Sequence, residues 1–398
     1  LAVSYFEKNA IISGLGISRI GRRTGIPGRE LTLESVRAAI EDAGLTPADI
    51  DGIGTLGDTP TGEVAEALGI QPTDQTMGFD TAGVLIPVMS AFRAVSERRA
   101  RHVLVYRTVA MLGGAMNQSA SPMMNPLASP PVEPRMPGTR RKLTPFGDIE
   151  ELLAAHAYSA ANWLAMHCRR HMELYGTTKE QLGWLAINSR RNAGLNPRAA
   201  YRDPMTMDDY LCARPVSTPF GLFDCDVPID GSIALVVSHA DYADDCPNPP
   251  VAVQAIGGAY GSGGWFHRDD FPKMASIEAA AEMWSRTDLT PADVDVAEIY
   301  DGFTFLTLAW LEALGFCADG EAGPFVEGAA RIALDGQLPL NTYGGQLSAG
   351  RMHGYWLLHE ACLQLRGQAG ERQLAQRPEV AVAAAGGGPI AGCMVLTC

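Results

Sequence analysis

Short apolar runs alternate along this chain with segments whose apolar positions recur every three to four residues. From Asn9, "NAIISGLGISRI" reads as a strand ending in glycines. "TLESVRAAIEDAG" then predicts a helix capped by Thr32, with Leu33, Val36 and Ile40 on its apolar face and Gly44 closing it. "GVLIPVMSAFRAVSERRA" (83–100) predicts a second helix, "HVLVYRTVAM" the strand after it, and "IALVVSHA" from Ile233 another strand. The same order then returns. "VAVQAIGGAYGS" from Val251 is strand-like, "MASIEAAAEMWSRTD" helical, "GYWLLHEACLQLRGQAG" (354–370) helical, and "EVAVAAAGGG" and "AGCMVLTC" are buried strands. Even a turn is echoed, as "LTPADID" at 45–51 and "LTPADVD" at 289–295.

The alternation predicts layered α/β structure built by duplication of one unit. Residues 9–111 plus 197–245 form the first half and 246–398 the second. Residues 112–196 interrupt the first half. Their start, "GGAMNQSASPMMNPLASPPVEPRMPG", is rich in Pro, Met, Ser and Gly and predicts an extended loop. Two helical segments follow, "IEELLAAHAYSAANWLAMHCRRHMELYG" and "TKEQLGWLAINSRRNAG". An insertion of this size over an α/β scaffold reads as a lid or binding element.

Composition narrows the class. The 398 residues exceed what one core usually supports, which agrees with two core units. With 46% apolar and 19% charged residues the chain is globular. It contains no run of 18 uncharged apolar residues and no basic n-region before an apolar stretch, so neither a membrane span nor a secretory signal is expected. Eight scattered cysteines without a CxxC pair predict reduced thiols and a cytoplasmic location. A formal charge of −14 argues against nucleic acid as main partner. Arg140-Arg141-Lys142 and Arg190-Arg191 are the densest basic clusters, read either as solvated faces or as contacts to a phosphate-bearing ligand. His167 and His171, four apart on one helix, form at most half a metal site, and no further clustered ligand accompanies them. "GSGG" at 261–264 lacks the Lys-Ser/Thr of a phosphate loop.

Three stretches in order carry a family resemblance: "FDCDVPIDGSIALVV" (223–237), "EIYDGFTFLTLAWLEALGFC" (298–317) and "NTYGGQLSAGRMHG" (341–354). Together with the duplicated halves they resemble the thiolase superfamily, and more narrowly its branch of sterol-carrier-type thiolases and steroid side-chain aldolases. The resemblance spans almost the entire chain. It implies a thiolase-like α/β fold, two duplicated halves in a layered αβαβα arrangement with an inserted loop domain.

The catalytic positions of thiolases are altered here. Where the resemblance places the nucleophilic cysteine, "DTAG" puts Asp80, and the second cysteine's slot before Gly386-Gly387-Gly388 holds Ala384. The slot of the histidine that helps hold the thioester oxygen reads "GRM", giving Arg351, with His353 two residues on. A carboxylate is a poor acyl acceptor from a thioester, so Claisen chemistry through an acyl-enzyme lacks its carrier. A retro-aldol cleavage needs no covalent intermediate. It needs a base for the β-hydroxyl, donors for the thioester enolate and an acid for the α-carbon.

The aldolase branch implies tyrosines in this work, and its "YDCF"-like motif matches "YDGF", placing Tyr300 at the end of a buried strand. As a base, Tyr300 needs its pKa lowered by two to three units, about 3–4 kcal/mol at ~1.4 kcal/mol per unit, with Arg351 as a source of positive field. The branch's second tyrosine falls in the Arg351 slot, which leaves Tyr343 and His353 as nearby substitutes; an ordinary histidine suits proton transfer near neutral pH. The candidate catalytic residues are therefore Tyr300, His353, Tyr343 and Asp80. Arg351, Gly344, Gly345, Gly386, Gly387 and Gly388 are the candidate substrate-binding positions. Each has a structural reading as well: a tethered core tyrosine, a histidine fixing a glycine turn, a helix cap at Asp80 with Asp301 comparable, and plain glycine turns.

The leading function is a retro-aldol lyase acting on a β-hydroxyacyl-CoA, with a steroid or similarly bulky side chain, to give a ketone or aldehyde plus a short acyl-CoA. The alternatives are a thiolase-like C-acyltransferase and a non-catalytic acyl-CoA- or lipid-binding subunit. No cofactor or metal is expected in this chain. The resemblance also implies a homodimer bound to a small zinc-ribbon/OB-fold acyl-CoA-associated subunit, which would carry the zinc.

Overall fold

The structure, a computed structural model, describes residues 5–56, 59–72, 74–77, 84–110, 149–260 and 264–398. The first half runs β1 (Ala10–Ile17), α1 (Gly28–Asp42), β2 (Gly52–Thr55), α2 (Thr61–Leu68), β3 (Asp74–Met77), α3 (Ile86–Ser96) and β4 (His102–Ala110). Helices α4 (Ile149–Ala154), α5 (Ala160–Tyr175), α6 (Lys179–Gly194) and α7 (Met207–Leu211) follow, then a small hairpin of β5 (Pro215–Ser217) and β6 (Phe220–Gly221), and β7 (Asp230–His239). The second half runs β8 (Val251–Tyr260), α8 (Ser276–Trp284), β9 (Val296–Ile299), α9 (Thr304–Ala313), α10 (Ala322–Val326), α11 (Tyr355–Arg366), β10 (Val380–Gly387) and β11 (Ile390–Thr397).

Among the described residues nine strands form one sheet in the order β3-β2-β4-β7-β1-β8-β11-β10-β9. Its two arms have the same construction. β2 lies parallel to β4, β4 antiparallel to β7 and β7 antiparallel to β1. Likewise β9 lies parallel to β10, β10 antiparallel to β11 and β11 antiparallel to β8. Among the described residues the strands of the two arms pair directly at two positions, Ile11 with Ala252 and Ile12 with Val251. The counterpart of β3 is reduced to one bridge, Leu340 beside Ala297. The echoed turns fold alike: Asp49 and Asp293 each accept from the hydroxyl of the threonine three residues back, Thr46 at 2.6 Å and Thr290 at 2.7 Å.

Strand residues alternate between two layers because successive side chains leave opposite faces. In β10, Ala381, Ala383 and Ala385 face a central core, whereas Val382 and Ala384 face an outer one. The central core holds α3 and α11 between strands of both arms, with Val88, Phe92, Trp356 and Leu358 fully buried. Helix α1 covers the outer face of the first arm and α8 with α9 that of the second. Close approach is what seats the outer helices. A Cβ at Gly16 would lie 2.0 Å from the Ser35 carbonyl of α1, and one at Gly257 would lie 1.9 Å from the Ala279 carbonyl of α8.

Two local expectations are corrected. Thr32 is not a cap: α1 begins at Gly28 after Pro27, and the Thr32 hydroxyl donates to the Gly28 carbonyl at 2.8 Å inside the helix. The segment 149–176 is not one helix, because it breaks around His156, whose φ is +61°. The described part of the insertion is a brace. Asn188, Asn192 and Asn196, spaced by one turn on and beyond α6, donate to the carbonyls of Leu340, Asn341 and Tyr343 at 2.8–3.2 Å. Arg190 is buried and donates to Ser348 Oγ at 2.9 Å, which removes it from the solvated-face reading.

Arg366 of α11 crosses between the arms. Its side chain is fully buried and reaches the Ser13 carbonyl at 3.0 Å and Asp42 Oδ2 at 2.7 Å. Replacing it with methionine removes the donor to the Ser13 carbonyl and the charge paired with Asp42, whose carboxylate keeps the Leu15 N–H at 2.8 Å and the Asn248 amide at 2.9 Å. Arg366→Met is expected to cost about 2–4 kcal/mol in urea denaturation, the lower part of that range because Asp42 is partly exposed.

Candidate active site

Strand β9 ends where the parallel pair β9/β10 opens, and the next residue is Tyr300, whose N–H donates to the Ala384 carbonyl at 2.9 Å. Asp301 follows and turns inward. Its carboxylate accepts from the N–H groups of Gln346 at 2.8 Å and Leu347 at 3.3 Å. Gly345 (φ +61°) makes this possible, since a Cβ there would lie 1.9 Å from Asp301 Oδ2. Residues Gly345–Ala349 form a single π-turn, a local widening common at functional sites.

A third segment is laced between these two. Cys225 bridges Phe303, Asp226 N–H donates to the Gly302 carbonyl at 3.1 Å, and Val227 N–H donates to the Gln346 carbonyl at 2.9 Å. Arg351 N–H closes the lattice on the Val227 carbonyl at 2.9 Å. Backbone hydrogen bonds therefore bring Tyr300, Asp226, Gln346, Arg351 and His353 to one place.

The electrostatics follow from this packing. Arg351 Nη1 lies 3.4 Å from Asp226 Oδ1, and their side chains are 22% and 11% exposed. Burial raises the Asp226 carboxyl above its usual range, and the Arg351 charge opposes this. Tyr300 is pushed well above the ordinary phenol value, first by burial and then by the negative charge of Asp226. Arg351 and the Gln346 amide only partly offset that. The expectation of a Tyr300 phenolate base is thereby corrected: at neutral pH Tyr300 is a neutral phenol and a proton donor.

His353 is likewise reassigned. It holds φ +50°, and its N–H donates to Gln346 Oε1 at 3.0 Å. Its Nδ1 lies 3.0 Å from Arg107 Nη2. A guanidinium only donates, so Nδ1 accepts and the ring proton sits on Nε2. Burial, then Arg107 and Arg351, hold the pKa well below the usual histidine value. His353 is a neutral donor, not a group poised to titrate near pH 7. The Gln346 side chain, its oxygen engaged by His353, turns its amide nitrogen toward Tyr300 without reaching hydrogen-bond geometry.

Other candidates are placed elsewhere. Tyr343 is fully buried, its ring stacked on Trp356 at 5.1 Å, which places it in the core behind the site. Gly344 packs against Ala193, where a Cβ would come within 2.5 Å. Gly386 and Gly387 end β10 and Gly388 opens the turn to β11, packed against the Ile390 carbonyl, Leu306 and Trp265 respectively, which is a close-packing role. Asp80, Arg140-Arg141-Lys142 and most of "GSGG" lie outside the described residues. His171 meets Thr177 Oγ1 at 2.9 Å and Glu312 Oε1 at 3.1 Å, and among the described residues no cluster of three His, Cys, Asp or Glu is arranged for a metal. No helix among them is long and apolar enough to cross a membrane.

Sequence reasoning did not single out Asp226, Gln346 or Arg107. Asp226 and Gln346 lie inside the motifs that carried the resemblance, but nothing in their spacing marks them. An arginine within the apolar run "HVLVYRTVAM" is the one signal that was available, since a charge buried in a strand needs a partner.

The family described as Thiolase C-terminal domain-like matches residues 259–397. The chain is 32% identical over 375 residues to the steroid side-chain-cleaving aldolase of Thermomonospora curvata, covering 90% of each. It is also 32% identical over 375 residues to the 17-hydroxy-3-oxo-4-pregnene-20-carboxyl-CoA lyase of Mycobacterium tuberculosis, covering 90% of this chain and 92% of that one. The solved Ltp2-ChsH2(DUF35) aldolase matches with a TM-score of 0.86 at 30% identity, over 99% of this chain and 98% of that one.

Burial moves the Asp301 carboxyl up to about 7, against the pull of its two backbone N–H donors. Because the folded value exceeds the unfolded value of 3.8, the folded state binds the extra proton between the two. That contribution is complete below pH ~4 and is lost as pH rises to ~7, up to about 4 kcal/mol at ~1.4 kcal/mol per unit. Chemical denaturation across this range is expected to show a steeper loss for the wild type than for Asp301→Asn.

Proposed function

The chain belongs to the thiolase superfamily, in its branch of sterol-carrier-type thiolases and steroid side-chain-cleaving aldolases, and on that premise we propose that it cleaves a β-hydroxyacyl-CoA by a retro-aldol reaction. The products are a ketone or aldehyde and a short acyl-CoA. The observation that carries this reading is a site of proton donors with no reactive thiol. Tyr300, His353 Nε2–H and the Arg351 guanidinium are the groups suited to a developing thioester enolate, which needs oriented donors and no covalent carrier. The thiol nearest in the lattice, Cys225, is pushed up to about 12 by burial and by Asp224, so it is no nucleophile at neutral pH. Ala384 fills the other sulfur position.

The substrate is a bulky acyl-CoA of the steroid type. The name of the mycobacterial relative places a hydroxyl on C17 and the CoA-bearing carboxyl on C20, a β-relation that retro-aldol cleavage of the C17–C20 bond resolves into a 17-ketone and a three-carbon acyl-CoA. The chain works as a homodimer with a small zinc-ribbon/OB-fold subunit; the match to an aldolase solved as a two-component assembly supports the second component.

The test uses the protein purified from its native host with any subunit that accompanies it. With that CoA thioester it should release the ketone and acyl-CoA in equal amounts and transfer no labelled acetyl group to an acceptor. Label transfer without ketone release would overturn the lyase reading. Tyr300→Phe keeps the ring and its packing but removes the proton, and is expected to lower turnover 10²–10⁴-fold while the protein stays folded.

A further inference from the structure

We propose that Asp226 is the catalytic base of this site, taking the β-hydroxyl proton while Tyr300 supplies the proton to the enolate carbon. The assignment rests on the lyase reading above and goes beyond it by naming the base. Three acids surround the Tyr300–Phe303 segment, and two are already engaged. Asp224 accepts from Tyr210, Lys179, Thr304 Oγ1 at 2.7 Å and Gly221 N–H at 2.7 Å. Asp301 is enclosed by the π-turn, holding two of its N–H groups with Gly345 against its oxygen. Asp226 differs. Its backbone is fixed on both sides, to Gly302 and through Val227 to Gln346 and Arg351, yet among the described residues its carboxylate accepts no hydrogen bond. It has only the ionic contact to Arg351 at 3.4 Å and remains 11% exposed.

A largely buried carboxylate left without donors is costly to keep, and folds retain such groups where an incoming proton or ligand completes them. Among the described residues, the charged and titratable groups that face it are Arg351, Tyr300, Asp301 and Cys225. Of these only Arg351 is positive, and its charge opposes the rise that burial imposes on Asp226, while Tyr300 beside it stays protonated. Neighbouring titratable groups with opposed proton states are what acid/base division of labour requires.

The step balances within these two residues. The hydroxyl proton moves to an Asp226 oxygen, and its O–H electron pair becomes the second bond of the new carbonyl. The Cα–Cβ bond breaks, and its electron pair becomes the thioester enolate. The enolate takes the Tyr300 hydroxyl proton at Cα, and Asp226 returns its proton to the Tyr300 oxygen. No proton or electron is gained or lost.

The experiment compares wild type, Asp226→Asn and Asp226→Glu as the native complex, following ketone release from the same CoA thioester across pH. Asp226→Asn should lower kcat 10²–10⁴-fold with KM changed less than about threefold, and should abolish the acidic limb of the kcat/KM profile. Asp226→Glu should recover part of the rate and keep an acidic limb at a displaced pH. If Asp226→Asn retains its turnover and acidic limb, or loses activity through KM alone by misplacing Arg351, the base assignment is wrong. Should the asparagine variant not fold, an undisplaced limb in Asp226→Glu refutes the assignment equally. Failure of the wild type to release any ketone takes down the lyase reading itself, which is a separate result.

Discussion

Everything at this site depends on the contact between the Asp301 carboxylate and the backbone of Gly345–Leu347. There is no space for a Cβ at Gly345, and two N–H groups of the π-turn terminate on the one side chain. Through that contact the end of β9 fixes the turn before α11. Tyr300 stands on one side of it, with Gln346, Arg351 and His353 on the other. The carboxylate is removed from water to do this, and its raised proton affinity is the energetic trace of that removal. A looser linkage would let the donors drift from the positions where developing charge needs them, and positioning errors of about 1 Å are expensive in rate.

The duplicated architecture supplies both halves of the constellation. The second arm provides Tyr300 and the 345–353 turn, while the first arm sends Arg107 from β4 across to His353 and the 225–227 segment into the lattice. The brace from α6 holds the 340–348 stretch from the other side. Burial first, then Arg107 and Arg351, keeps His353 neutral, and burial first, then Asp226, keeps Tyr300 protonated, so each titratable group also answers to a neighbour from a different segment.

Much of the frame was legible in the residues. Strands such as Asp230–His239 are buried on both faces and read as unbroken apolar runs, and the twin Thr-Pro-Ala-Asp turns fold as one motif used twice. Boundaries were less so. Thr32 looked like a cap because its helix begins one turn earlier on a proline, and the break around His156 needs a left-handed backbone that composition does not announce. The site was half legible. Tyr300 and Tyr343 both lie in the motifs that carry the resemblance, and only packing shows that one sits beside Asp226 and Arg351 while the other stacks on Trp356. The Tyr300 shift runs opposite to what a base needs, because burial and the neighbouring Asp226, which the sequence does not mark, outweigh the positive charge of Arg351.

Retro-aldol cleavage at this site forms a thioester enolate that an exchangeable group of the protein protonates at Cα. Cleavage carried out in D₂O tests it directly. The released acyl-CoA is expected to carry one deuterium at Cα in a single configuration, because the Tyr300 hydroxyl exchanges with solvent and delivers from one face. An acyl product without deuterium, or with deuterium in both configurations, would contradict it.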